Sequence, residues 1–205
     1  MIFRLAIISL LIACLISGCA SFVTERVPFG TRMTVDVSFS SSINFSQNKY
    51  YFVISSDPDY QIPLPPDYEF IEPGIPPMDP QIDYLQFYET WSGYVVLDSG
   101  ILYLVSGPFT STAESYGRIQ VGGPLEVTNG FNFQFILDEV YGSELPDTIH
   151  FDLITVDSTR FVQDHLTTPN KSIIRYDGMI VTGSDESYPD IDPSLDILGW
   201  SVSIQ

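Results

Sequence analysis

The sequence predicts an all-β chain folded as a single antiparallel β-sandwich of about nine to eleven strands with a long proline-rich loop. Three observations lead there. Short runs alternate apolar and polar residues with period two, turn signals such as Asn129-Gly130 and Asp177-Gly178 punctuate them, and beyond the first twenty residues no convincing helix-period window appears.

The elements follow in order. Thr34 to Ser40 places Val35, Val37 and Phe39 on one face, as in a half-buried strand. Lys49 to Ser55, KYYFVIS, is apolar on both faces, the pattern of a central strand covered on both sides. Gly93 to Leu97 and Ile101 to Val105 flank Asp98-Ser99-Gly100 and read as a hairpin. Gly117 to Val121 and Leu125 to Val127 are short strands. The run Phe131 to Leu137 sets Phe131, Phe133, Phe135 and Leu137 opposite Asn132 and Gln134.

Ile149, Phe151 and Leu153 then alternate with His150 and Asp152. Ser172 to Tyr176 and Met179 to Val181 flank the Asp177-Gly178 turn, and Trp200, Val202 and Ile204 close the chain. Thr159 to Leu166 reads as a short helical turn. The count fits an immunoglobulin- or jelly-roll-like sandwich over residues 31–205, with a closed barrel as the alternative. No repeat of fixed period is present, which argues against a propeller or solenoid.

Between the second strand and the hairpin lies DPDYQIPLPPDYEFIEPGIPPMDPQIDY, residues 57–84. It holds eight of the 15 prolines and seven carboxylates without a lysine or arginine. Proline lacks the amide donor of a ladder and restricts the residue before it, so this stretch cannot continue the sheet. Its interspersed Tyr60, Ile62, Tyr68, Phe70 and Ile71 distinguish it from a flexible linker. It is expected to be a stiff, partly packed excursion over one end or edge of the sandwich. Three PxxP matches occur, but the modules that read that motif are mainly intracellular.

The N-terminus, MIFRLAIISLLIACLISGCAS, carries Arg4, an apolar run from Leu5 to Ile16, and small residues at Ser17 and Gly18, the order of an export signal. The run is shorter than the roughly 20 residues a membrane-spanning helix needs. Ile16-Ser17-Gly18-Cys19 resembles the lipobox of bacterial lipoproteins. The resemblance implies a signal peptide over residues 1–18, a lipid-bearing Cys19 and a short tether to residue 30. Leu11-Ile12-Ala13-Cys14 also fits the pattern, but would leave a short apolar run and a stray thiol at Cys19, so Cys19 is preferred. The expected location is a membrane-anchored envelope protein. Ala20 after the anchor points, by analogy with known lipoproteins, to the outer membrane or cell surface.

Both cysteines lie in this segment, so the folded part relies on packing rather than disulfides. The chain has 8 basic and 26 acidic residues, and loss of Arg4 leaves 7 against 26. Such a surface repels nucleic acid and anionic lipid headgroups. At 44% apolar and 17% charged residues it still has ample core material for folding.

The chemistry-bearing residues are few. There is no Gly-x-Ser-x-Gly elbow, phosphate-binding glycine loop, or zinc spacing around His150 and His165. Asp138 and Glu139 would point to opposite faces if their strand continued, which disfavours them as the carboxylate pair of a glycosidase. An envelope hydrolase working through loop carboxylates is the catalytic alternative. A structural calcium ion is the candidate cofactor, since hard cations take about six to eight oxygens. One loop offers Asp57 and Asp59 with Asp67 or Glu69. Another offers Asp185-Glu186 with Asp190, Asp192 and Asp196, although Leu195 and Ser201 stand where an EF-hand needs Gly and Glu. Tyr88, Trp91 and Tyr94, in a segment crowded with Tyr84 and Phe87, are candidates for an aromatic platform that stacks on sugar.

Tyr50 to Ile54, Asp57, the proline stretch, Trp91 to Tyr94, Phe151 to Asp157 and Leu195 to Gly199 together resemble exported bacterial β-sandwich proteins. These are similar to carbohydrate-binding or DOMON-like sandwiches. The resemblance implies the fold and carries no functional motif. The expected role is a non-catalytic binding surface, edged by the proline loop and the Tyr84 to Tyr94 aromatics, for a carbohydrate, an envelope polymer or an envelope protein. A purely structural envelope role is a third reading.

Overall fold

A computed structural model describes residues 29–65, 69–75, 86–111, 115–122 and 129–205. The expected signal peptide with Cys14, Cys19, Asp67, Tyr84 and the strand expected at residues 125–127 lie outside them. Among the described residues, eleven strands form two antiparallel sheets packed as a sandwich. The four-stranded sheet has the order β10 (Ile180–Ser184), β11 (Ile197–Ile204), β1 (Arg32–Phe39), β6 (Gly130–Ile136). The seven-stranded sheet runs β5 (Arg118–Gln120), β4 (Ile101–Ser106), β3 (Gly93–Asp98), β2 (Lys49–Ser55), β7 (Thr148–Val156), β8 (Val162–His165). There β9 (Ser172–Ile174) pairs with the start of β7 and β8 with its end.

Alternation fixes which face turns inward. Val35 of β1 lies between Val202 and Phe133, and Val37 between Trp200 and Phe131, so these buried rows point at the other sheet. Facing them are Tyr50, Phe52 and Ile54 of β2, Leu97 of β3 and Phe151 of β7. Phe52 meets Phe133 edge-on across the sandwich at 5.7 Å and stacks on Phe151 within its own sheet. Each such side chain contributes about 1.5–3 kcal/mol by leaving water, the source of stability expected of a chain without disulfides.

The β3–β4 hairpin closes through Ser99 and Gly100, both at positive φ (53° and 82°), the two-residue turn whose twist matches its strands. Gly183 of β10 sits beneath the Trp200 ring, and a Cβ there would come within 2.4 Å of it. The indole thus covers the inner side of the edge strand.

One expectation needs correction. Residues 159–166 do not form a helical turn. Asp157 accepts the Thr159 and Phe161 amides, Arg160 takes positive φ (70°), and the chain reverses into β8. After β6 the strand does not continue: Asp138–Tyr141 is a single helical turn, α1.

Candidate functional site

The outward side of the seven-stranded sheet is not a solvent face. Tyr51 and Val53 of β2, Tyr94 and Val96 of β3, and Ile154 and Val156 of β7 form the floor of a second apolar cluster. Its roof comes largely from the proline-rich stretch and the residues just after it. Phe70 packs 4.5 Å from Tyr51, Trp91 meets Tyr88 edge-on at 4.9 Å, and Trp91 Nε1 donates to Gln61 O at 2.7 Å. The described part of the stretch therefore lies across a face of the sheet rather than over an end or edge.

This placement corrects the expected aromatic platform. Tyr88, Trp91 and Tyr94 are 0%, 3% and 1% exposed, and no flat ring among them faces solvent. Their apolar area is used against one another and against the sheet.

The acidity of the stretch has internal partners. Glu72 is buried and accepts hydrogen bonds from Tyr94 Oη (2.9 Å) and Tyr51 Oη (3.3 Å). Arg118 of β5 reaches it at 2.6 Å and Lys49 of β2 at 3.7 Å, and Arg118 also holds Asp98 at 2.9 Å. Glu69 pairs with Arg160 at 2.8 Å. Burial and the Glu72 charge hold both tyrosine hydroxyls well above their ordinary range. The framework itself thus supplies cations to the two glutamates.

Three of the five aspartates expected for calcium, Asp57, Asp192 and Asp196, have carboxylates engaged locally. Asp57 Oδ1 accepts the Asp59 amide, and Asp192 Oδ1 accepts the Ser194 amide, each at 2.9 Å. Asp196 is buried and accepts from Ser40, Ser187 and the Tyr188 amide. Burial works against its charge, but those hydrogen bonds outweigh it and hold the carboxyl below its ordinary value. Asp190 is exposed. Among the described residues, no three of His, Cys, Asp and Glu converge on a point able to hold a metal ion.

A cleft of about 400 Å³ does open beside this roof, lined by Pro58, Tyr60, Ile62, His150, Asp152, Pro169, Lys171 and Ser172. Register brings its polar groups together. His150 and Ser172 are direct partners on β7 and β9, and Asp152 follows two residues along β7 on the same face. Asp152 is fully buried. Its Oδ2 takes the Lys171 ammonium at 2.5 Å and the Tyr60 hydroxyl at 3.4 Å, and its Oδ1 takes the Leu153 and Leu166 amides. Tyr60 also donates to Phe151 O at 2.7 Å, and Lys171 to Leu166 O.

Burial pushes the Asp152 carboxyl up to about 6, with Lys171 opposing. Burial lowers the His150 imidazole, with the Asp57 charge opposing. At neutral pH the cleft therefore presents a largely neutral imidazole, a serine hydroxyl and a partly exposed ammonium, with Pro58, Ile62 and Pro169 as apolar walls. Such a lining can hydrogen-bond a small polar ligand. Asp152, with every acceptor direction taken, positions Lys171 and the loop from Leu166 to Lys171.

Sequence reasoning placed His150 and Asp152 on one strand face but did not single out the cleft. The available signal was a carboxylate inside a strand otherwise apolar on both faces, FDLITV, in a chain with few cations to balance it. Comparison with protein families, curated proteins and solved structures finds no match to this chain.

Proposed function

We propose that this chain is a non-catalytic envelope protein, lipid-anchored through Cys19, whose sandwich binds a small hydroxyl-bearing ligand, of carbohydrate kind, in the cleft between Tyr60 and the β7–β9 pair. The observation that carries the reading is the preformed cleft, whose one wall belongs to a proline-rich stretch fixed to the sheet by the second core and by Glu72. A pocket already shaped loses little entropy on binding. The non-catalytic part is supported by the state of Asp152, which is fully engaged and so poorly placed to exchange a proton with a substrate.

Two experiments test it. Amide chemical shifts of the isotope-labelled protein are followed while cellotriose, and separately an N-acetylglucosamine trimer, is titrated. Perturbations centred on His150, Lys171 and Ser172 are expected. Shifts that never move there with either sugar would remove the carbohydrate reading. For the anchor, mass spectrometry of the purified protein should find diacylglycerol on Cys19, and Cys19→Ser should abolish lipid attachment whereas Cys14→Ser should not.

A further inference from the structure

We infer that the end of the sandwich where the chain enters β1 is a docking face for the bilayer that carries the anchor, with Phe29, Tyr176, Ile174 and Ile180 as its apolar contacts. This rests on the lipid-anchor reading proposed above. The four side chains are 46%, 41%, 45% and 62% exposed. Phe29 bridges to Tyr176 at this end. Ile174 lies two residues before Tyr176 on the outer side of the seven-stranded sheet, and the Asp177-Gly178 turn carries the chain across to Ile180 on the outer side of the four-stranded sheet, so the two isoleucines flank the ring pair.

The rings are held rather than loose. Phe29 and Tyr176 stack at 5.2 Å with planes 11° apart, and the Arg175 guanidinium sits 4.4 Å from the Phe29 ring centre. Arg175 is fixed in turn by donating to Gly30 O and Pro146 O. A pair of rigid rings held in water, beside two exposed isoleucines, gives apolar area that a bilayer boundary can bury. Aromatic rings are favoured at headgroup depth, and their docking loses little side-chain entropy when they are already ordered.

Tether length identifies the occupant. Nine residues lie between Cys19 and Phe29, and the ten steps from one Cα to the next reach at most about 35 Å. A domain of this size has a radius of gyration of about 16 Å. Phe29 is therefore kept within about one domain width of the anchored chains, which leaves the apolar end within reach of the lipid surface. The acidic balance of the chain excludes attraction to anionic headgroups as the cause, so the contact is with the headgroup–hydrocarbon boundary and should form on neutral lipid.

The test uses the full lipidated chain in phosphatidylcholine vesicles. A nitroxide is placed at Ile180→Cys and, separately, at Ser158→Cys beyond the far end of β7. Both sites are exposed, so neither substitution threatens the core. The ratio of oxygen to nickel-chelate accessibility should be several-fold higher at position 180 than at 158. Equal ratios on protein whose Cys19 lipid is confirmed by mass would overturn the docking face and leave the anchor standing. Absence of lipid on Cys19 would remove the anchor and the tether constraint, and the docking face with them. Spin–spin broadening at position 180 would assign the face to a second copy and overturn the proposal as well.

Discussion

On the seven-stranded sheet, the outward residues of β2 and β3 are Tyr51, Val53, Tyr94 and Val96, and a second core of Phe70, Tyr88 and Trp91 covers them. On the four-stranded sheet, the outward positions are mostly polar, among them Asp36 and Ser38 of β1, Asn132 and Gln134 of β6, Thr182 and Ser184 of β10, and Ser201 and Ser203 of β11, with Ile136 and Ile180 as exposed apolar exceptions. These are exposed or half-exposed, and among the described residues no second core covers them. One sheet face is apolar and lies under a long insertion, and the other is mostly polar. The insertion is therefore a structural necessity of the apolar face, whatever else it does, and the cleft at its margin is a by-product of the covering that a ligand can use.

The contrast breaks first at the covered face. Trp91→Ala empties the centre of the second core and should lower the unfolding free energy by about 3–5 kcal/mol in a urea titration. A loss below about 1 kcal/mol would mean that the roof is not part of the folded unit. Next in size, Glu72→Ala leaves Arg118 and two buried tyrosine hydroxyls short of an acceptor, at a cost of about 2–3 kcal/mol. Limited proteolysis should then cut the proline-rich stretch first, and simultaneous loss of both sheets would argue against a separable cover.

The seven-stranded sheet also carries the buried aspartates. Burial pushes Asp152 up to about 6 and Asp164 of β8 up to about 7, the latter against hydrogen bonds from the Ile197 and His165 amides. An unfolded aspartate titrates near 3.9, so the folded state binds these protons more tightly. The resulting stabilisation is fully present below about pH 4 and is lost as pH rises through about 6 to 7. Unfolding free energy should fall by up to about 1.4 kcal/mol per pH unit for each group across that window. Asp164→Asn should flatten the profile, and a variant profile parallel to that of the parent would disprove the assignment. Smallest of all, Gln134→Ser and Asp36→Ser on the bare face should stay within about 0.5 kcal/mol of the parent. A loss above about 1 kcal/mol would reveal a cover on that sheet.

The same contrast explains what the sequence disclosed. Alternation in TVDVSFS and FNFQF announced a sheet with one wet face, and the continuous apolar run KYYFVIS announced a strand covered twice; both readings match the sandwich. Nothing local in KYYFVIS says what covers it. The cover is chosen by pairings such as Glu72 with Arg118, 46 residues away, and a long-range ion pair leaves no local pattern. Aromatics that stack on sugar and aromatics that stack on one another have the same composition, so Tyr88, Trp91 and Tyr94 could not be sorted until their burial was known. Residues 159–166 misled for a related reason. They read as a helical turn, while the reversal depended on Asp157 capturing two amides and on Arg160 accepting positive φ.

The first and last strands of the described sandwich are neighbours: β1 and β11 run antiparallel, and the Thr31 amide donates to Gln205 O at 2.9 Å. A load applied between these two residues would open that ladder one rung at a time, like a zip, instead of shearing all its rungs together. The fold should consequently yield at low force when pulled between residues 31 and 205 in an optical trap. The same sandwich pulled from Thr31 and from the opposite tip of β11, near Ile197, should resist far longer.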